Sequence, residues 1–421
     1  MAAMKLGCIA DDFTGATDLA NNLVRAGMRV TQSIGVPARA LHSEADAVVV
    51  ALKSRTVPAA EAVDQSLAAL RWLKANGAEQ IYFKYCSTFD STPQGNIGPV
   101  TEALMQALNT RFTIATPAFP DNKRTVFKGH LFVGEVLLSE SGMQNHPLTP
   151  MTDSNLVRVL QAQSRGKVGL IDHLVVARGE LAIRERIGVL QAQGFSIAIV
   201  DALTNEDLMR LGPALKGMAL VTAGSGVAIG LPPNFGIEPS SRASHLPLPA
   251  GWQAVVSGSC SLATSQQVQE FIRSGAPALA IDPLRVASGF DVAAEALDWA
   301  RPLLPRGPVL VYSTADAGTV KSTQQQLGVE EAGALVERTL AGIAQGLVKL
   351  GVRQLLVAGG ETAGACVQAL GVAQMQIGPQ IDPGVPWCYA VLPTGEGLHL
   401  ALKSGNFGAP DFFGKAFGLL R

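Results

Sequence analysis

The chain has 421 residues, 48% of them hydrophobic and 16% charged, with a formal net charge of −1. Lysines and arginines are scattered, so there is no electrostatic footprint for nucleic acid or an anionic membrane. No apolar stretch approaches the roughly 20 residues that span a bilayer.

The length exceeds what one hydrophobic core usually serves, which predicts two domains. Low aromatic content (5%) with abundant Ala and Gly suits helix-on-sheet packing in an α/β fold. Cys8, Cys86, Cys260, Cys366 and Cys388 form no CxxC pair, and this odd, scattered set predicts reduced thiols in the cytoplasm. "KLGC" (5–8) faintly resembles a lipoprotein cleavage site, but Asp11 ends the apolar run at once and leaves no secretory core.

In chain order, strands are expected at 5–10, 29–35, 45–52, 80–86 and 111–119, with helical patterns between several of them. After the first strand, Ala16, Leu19, Ala20, Leu23 and Val24 mark one apolar helix face, and Gly27 supplies a C-cap. The aperiodic, Pro- and Ser-rich stretch 231–252 reads as a linker. Strand candidates resume at 253–259, 277–283, 308–314, 353–360, 387–393 and 398–405. The expectation is a domain at 1–230 and another at 253–421, each a largely parallel sheet flanked by helices.

The stretch "GCIADDFTGATDLANNL" (7–23) puts Asp11 and Asp12 where a strand gives way to a helix. Ligands of open α/β sheets collect beyond the carboxyl ends of strands. One aspartate suffices to cap the helix, which leaves the second to explain. A dehalogenase-type phosphatase needs D-x-D spacing, whereas contiguous residues of an extended chain point to opposite sides. That reading fails.

After the third strand come Lys53, Ser54 and Arg55; after the fourth come Lys84, Ser87, Thr88, Asp90, Ser91 and Thr92. An arginine fork suits a carboxylate, and hydroxyls with a carboxylate suit the hydroxyls of a sugar. In the second half, "LLVAGGETAGACVQAL" (355–370) runs from a strand through Gly359-Gly360 into a helix, a ready phosphate seat without Walker chemistry. "VVSGSCSLATSQQV" (255–268) and "ALKSGNFGAPDFF" (401–413) are similar small-residue loops, and their convergence at one sheet edge predicts a nucleotide site.

Together, "CIADDFTGATD", "KYCSTFDST", "VVSGSCS", "VAGGETAG" and "ALKSGNFGAPDFF" resemble the four-carbon acid sugar kinases, and the matches run from residue 8 to residue 413. "KSGNFG" is similar to the branch acting on 3-oxo-tetronate, whereas threonate and erythronate kinases tend to carry "KAGGFG". The resemblance implies ATP and Mg²⁺ as cofactors and phosphorylation of a C4 hydroxyl. It implies a sugar-acid site at Asp11, Asp12, Arg55, Lys84, Ser87 and Thr88. It also implies an ATP site at Ser257, Ser259, Gly359, Gly360, Glu361, Thr362, Gly405 and Asn406.

One of Asp11 and Asp12, with Asp12 favoured, would be the general base, and Arg55 and Lys84 would hold the acid's carboxylate. The metal ligands stay open, and so does a homo-oligomer. The rival readings are a threonate or erythronate kinase and a non-catalytic regulator that binds sugar acid and nucleotide.

Overall fold

The computed structural model describes residues 4–37, 45–89, 92–145, 149–313 and 328–420. The chain forms two compact units, Met1–Ser244 and His245–Arg421.

The first unit contains β1 (Leu6–Ala10), β2 (Val30–Ile34), β3 (Ala47–Ala51), β4 (Gln80–Lys84) and β5 (Thr113–Thr116). A small antiparallel sheet follows, made of β6 (Arg124–Phe127), β7 (His130–Val133) and β8 (Val136–Leu137). Then come β9 (Lys167–Ile171), β10 (Phe195–Val200) and β11 (Leu220–Ala223). The main sheet runs β2-β3-β1-β4-β11-β5-β10-β9, with parallel pairings throughout.

From β1 the chain moves to β2 and β3 on one side, then crosses to β4 on the other. This creates the topological switch point at which such sheets bind ligands. Ala10 is in register with Ala51 on β3 and Lys84 on β4, so three strands end level there.

Helix α1 (Phe13–Arg25) follows β1, and every residue from Phe13 to Val24 is buried. Sequence periodicity gave it one apolar face; the fold covers the others as well, enclosing Asp18, Asn21 and Asn22. It ends as expected near Gly27, which has φ +104°. The amides of Gly27 and Met28 close back on the carbonyls of Val24 and Leu23. A side chain at Gly27 would overlap the Glu238 carbonyl.

That contact shows why the expected linker is not free chain. Leu231, Pro232 and Ala243 are buried, and the first unit extends to Ser244. Leu246 joins the core of the second unit with Val255, Leu356, Trp387 and Phe412.

The second unit contains β12 (Trp252–Ser257), β13 (Ala278–Ala280), β14 (Val309–Tyr312), β15 (Val352–Ala358), β16 (Gln374–Asp382), β17 (Val385–Val391) and β18 (Gly397–Lys403). Their order is β13-β14-β12-β15-β18-β17-β16. The first five are parallel; β17 and β16 add an antiparallel edge. Here the order in which the strands are added reverses between the parallel neighbours β12 and β15. Ser257, Ala358 and Lys403 lie in one register row, so all three small-residue loops leave the sheet from one level.

Among the described residues, no helix is long and apolar enough to cross a membrane. All five cysteines are free thiols.

Candidate functional site

In the first unit, Asp12 is the N-cap of α1. Its Oδ1 accepts from the Gly15 amide at 2.9 Å and its Oδ2 from the Thr14 hydroxyl at 3.1 Å. Asp11 is 7% exposed and receives both prongs of Arg55, Nε on Oδ2 and Nη2 on Oδ1, each at 2.9 Å. Nη2 also lies 2.8 Å from Asp12 Oδ1, with Lys84 Nζ 3.7 Å from that oxygen.

Asp11 and Asp12 therefore do not point to opposite sides, as they would on an extended chain. The chain turns into the helix at Asp12, and both carboxylates meet one guanidinium. The Arg55 fork likewise grips Asp11, not an open carboxylate seat. Its loop is held from beneath by the Ser54 and Arg55 amides donating to the Asp11 carbonyl. Asn96 Nδ2 reaches the carbonyls of Ser54, Arg55 and Val57.

Burial would raise the Asp12 carboxyl, but Arg55, then Lys84, with the Thr14 and Gly15 hydrogen bonds, hold it below the usual range. Burial likewise works against the Arg55 charge, and Asp11 and Asp12 more than restore it. Two cations facing two carboxylates make a locally balanced, partly buried network. Arg55→Lys keeps the charge but cannot reach Asp11 and Asp12 in the same two-pronged way. It is expected to cost about 1–3 kcal/mol in thermal unfolding and to raise the acceptor KM.

Beneath this layer sits Asp18, 4% exposed, on the inner face of α1. The Ser225 hydroxyl donates to its Oδ2, while its Oδ1 is without a hydrogen-bond partner among the described residues. Burial pushes Asp18 up to about 6, an effect that Lys84, Ser225 and Arg124 oppose and Asp12 reinforces. A carboxyl raised in the folded state favours folding below its unfolded value and loses that contribution as pH rises through about 6. Relative to Asp18→Asn, the native protein should lose roughly 3 kcal/mol of stability between pH 4 and pH 7. Parallel denaturant titrations across that range check it; a constant difference would refute it.

In the second unit the three loops do converge. A methyl group on Gly405 would lie 2.5 Å from Ser259 Oγ, and one on Gly359 would lie 3.2 Å from the Ser259 amide. A methyl on Gly258 would overlap the Thr362 hydroxyl. Gly359 has φ +119°, which only glycine adopts readily, and it is the N-cap of the helix Gly360–Ala369. The first N–H groups of that helix have no partner within it, the usual setting for an anion. Around Gly405, the hydroxyls of Ser261 and Thr264 donate to its carbonyl at 2.5 and 2.8 Å. Gln267 ties down the carbonyls of Phe407, Gly408 and Ala409.

Two domain families match the chain: a sugar-binding N-terminal domain over residues 6–231 and a nucleotide-binding C-terminal domain over residues 254–413. A 3-oxo-tetronate kinase of Burkholderia multivorans is 60% identical over 99% of this chain and 97% of its own length. One of Haemophilus influenzae is 46% identical over 98% of this chain and 99% of its own. The chain belongs to the four-carbon acid sugar kinase family. A solved structure from Salmonella typhimurium shares 45% identity, superposes with a TM-score of 0.89 and covers 99% of this chain and all of that one. Another, from Haemophilus influenzae, has the same identity and coverage with a TM-score of 0.81.

Set against the family resemblance, the structure brings Asp11, Asp12, Arg55 and Lys84 together in the first unit. Ser87 and Thr88 form a turn just beyond β4. Thr88 Oγ1 lies 2.9 Å from Cys86 Sγ. Asp90 and Ser91 lie outside the described residues.

In the second unit, Ser259, Gly359, Thr362 and Gly405 meet, Ser257 ends β12 in full burial, and Gly360, Glu361 and Asn406 are exposed at the same edge. Asp18, Asn96, Thr264 and Lys403 were not picked out as site residues from sequence. Of these, only Lys403 carried a signal, as the residue opening the "KSGNFG" loop.

Proposed function

We propose that this chain is an ATP-dependent 3-oxo-tetronate 4-kinase, transferring the γ-phosphate of ATP to the C4 hydroxyl of the four-carbon acid. The observation that carries the reading is the carboxylate pair at the switch point of the first unit, held by Arg55 and Lys84. The names of its relatives, 46–60% identical across whole chains, support the choice of acceptor.

Asp12 Oδ1 is occupied by Gly15, Arg55 and Lys84, whereas among the described residues Oδ2 has only the Thr14 hydroxyl. With the Asp12 side chain 26% exposed against 9% for Asp11, Oδ2 is the oxygen open to an acceptor hydroxyl. Held below the usual carboxylate range, Asp12 is ionised at neutral pH and ready to take the proton as the O–P bond forms. Arg55 Nη1, the edge turned away from the aspartates, and Lys84 would steady the anionic acceptor. The nucleotide phosphates would rest on the N–H groups at Gly360–Thr362 and on the Gly405–Asn406 loop.

Among the described residues, no group of three or more His, Cys, Asp and Glu is placed to cage a metal ion. Mg²⁺ would be carried in on the phosphates of ATP, and Glu361, in the first turn of the helix that begins at Gly360, is a carboxylate that would help to hold it. When bound, it supplies charge neutralisation on the transferring group.

The test is an ADP-release assay with 3-oxo-tetronate, D-threonate and D-erythronate as separate acceptors. Turnover is expected with 3-oxo-tetronate at the highest kcat/KM. Preference for either aldonate would assign the chain to the neighbouring branch, and no turnover with any of them would leave a binding protein.

A further inference from the structure

At the end of β18, Lys403 is 1% exposed, and its ammonium donates to the Thr264 hydroxyl at 2.9 Å and to the carbonyls of Ser404 and Gly405 at 3.0 Å each. Among the described residues, no carboxylate lies within ion-pair distance of it. A buried ammonium compensated only by neutral oxygens is costly, and burial pushes its pKa down to about 7.

The carbonyls that Lys403 gathers have a geometric consequence. In a trans peptide the C=O and the following N–H point in opposite directions. Drawing the Ser404 and Gly405 carbonyls inward therefore turns the Gly405 and Asn406 N–H groups outward. Ser261 and Thr264 reinforce the second of these peptides by donating to the same Gly405 carbonyl. Neither the Gly405 nor the Asn406 N–H has a hydrogen-bond partner among the described residues. Two adjacent outward amides over a buried positive charge form a concave anion seat.

We infer that Lys403 is a positioning residue of the nucleotide site: it fixes the Gly405–Asn406 amides outward to hold a phosphate of ATP and places an uncompensated positive charge beneath that phosphate. This rests on the proposed ATP-dependent activity. The sequence offers a phosphate seat without Walker chemistry; here a lysine acts from behind the neighbouring loop. The incoming anion supplies the countercharge that none of the described residues provides.

The experiment titrates native protein, Lys403→Met and Thr264→Val with ATP and with inorganic tripolyphosphate, which has no adenosine, and measures KM for ATP and for the acceptor. In Lys403→Met, affinity for both probes should fall about tenfold or more. KM for ATP should rise in step while the acceptor KM stays within twofold, a split that general loosening of the fold would not produce. Thr264→Val, which removes one hydroxyl from the Gly405 carbonyl and one acceptor from Lys403, should shift the same way by a smaller factor; it decides the matter if Lys403→Met does not fold. Unchanged ATP and tripolyphosphate affinity in a folded variant overturns the inference and leaves the kinase reading standing. Native protein that binds neither probe overturns both.

Discussion

Asp12→Asn is expected to lower kcat by about 10²–10⁴-fold, the range usual for removing an acid–base group, with little change in the acceptor KM. Asparagine retains the size of the side chain and remains a good helix cap for the Gly15 amide. Losing the charge that faces Arg55 and the buried Lys84 should lower the melting temperature somewhat, but turnover should collapse by far more than that loss explains. Asp11→Asn should behave differently, because Asp11 receives both prongs of Arg55. Removing its charge leaves a partly buried guanidinium with a weaker partner, and stability should fall by about 1–3 kcal/mol along with acceptor affinity. Stopped assays and thermal melts on the two variants separate the roles. Normal turnover in both would make the pair structural.

Gly15→Ala should be nearly as damaging to activity although it adds one methyl group. In a helix, Gly to Ala ordinarily stabilises by about 0.5–1 kcal/mol. Here the new Cβ would overlap Lys84 Nζ and Asp12 Oδ1. Both are charged ends of buried or half-buried side chains, so each can move only by leaving the other or losing its hydrogen bonds. The expected outcome is a stable protein with kcat/KM reduced on the order of 100-fold, since displacement of about 1 Å at a reacting group can cost that much. Native-like kinetics in Gly15→Ala would show that Lys84 and Asp12 tolerate separation.

Much of the site was legible because it sits where α/β topology always presents it. Short apolar runs followed by Asp11-Asp12, by Arg55 and by Lys84 mark strand ends, and parallel strands deliver those ends to one edge. The same logic foresaw the meeting of the loops at Ser259, Gly359 and Gly405. Other strands were not foreseen. "KVGLI" (β9), "FSIAIV" (β10), "LVTA" (β11) and "QMQIGPQID" (β16) are segments that periodicity alone does not separate from helix or loop.

By itself, then, the sequence determined the α/β class, the two-part organisation and which loops leave the strand ends with candidate chemistry, because these follow from local pattern. Only the tertiary structure decided what those residues touch. Arg55 lies 44 positions from Asp11 and closes on it; Ser225 lies 207 positions from Asp18; Thr264 lies 139 positions from Lys403. Local pattern says that a lysine follows a strand. It cannot say whether that lysine faces water, a carboxylate or a ring of carbonyls, because each of those outcomes depends on which distant segment is packed against it.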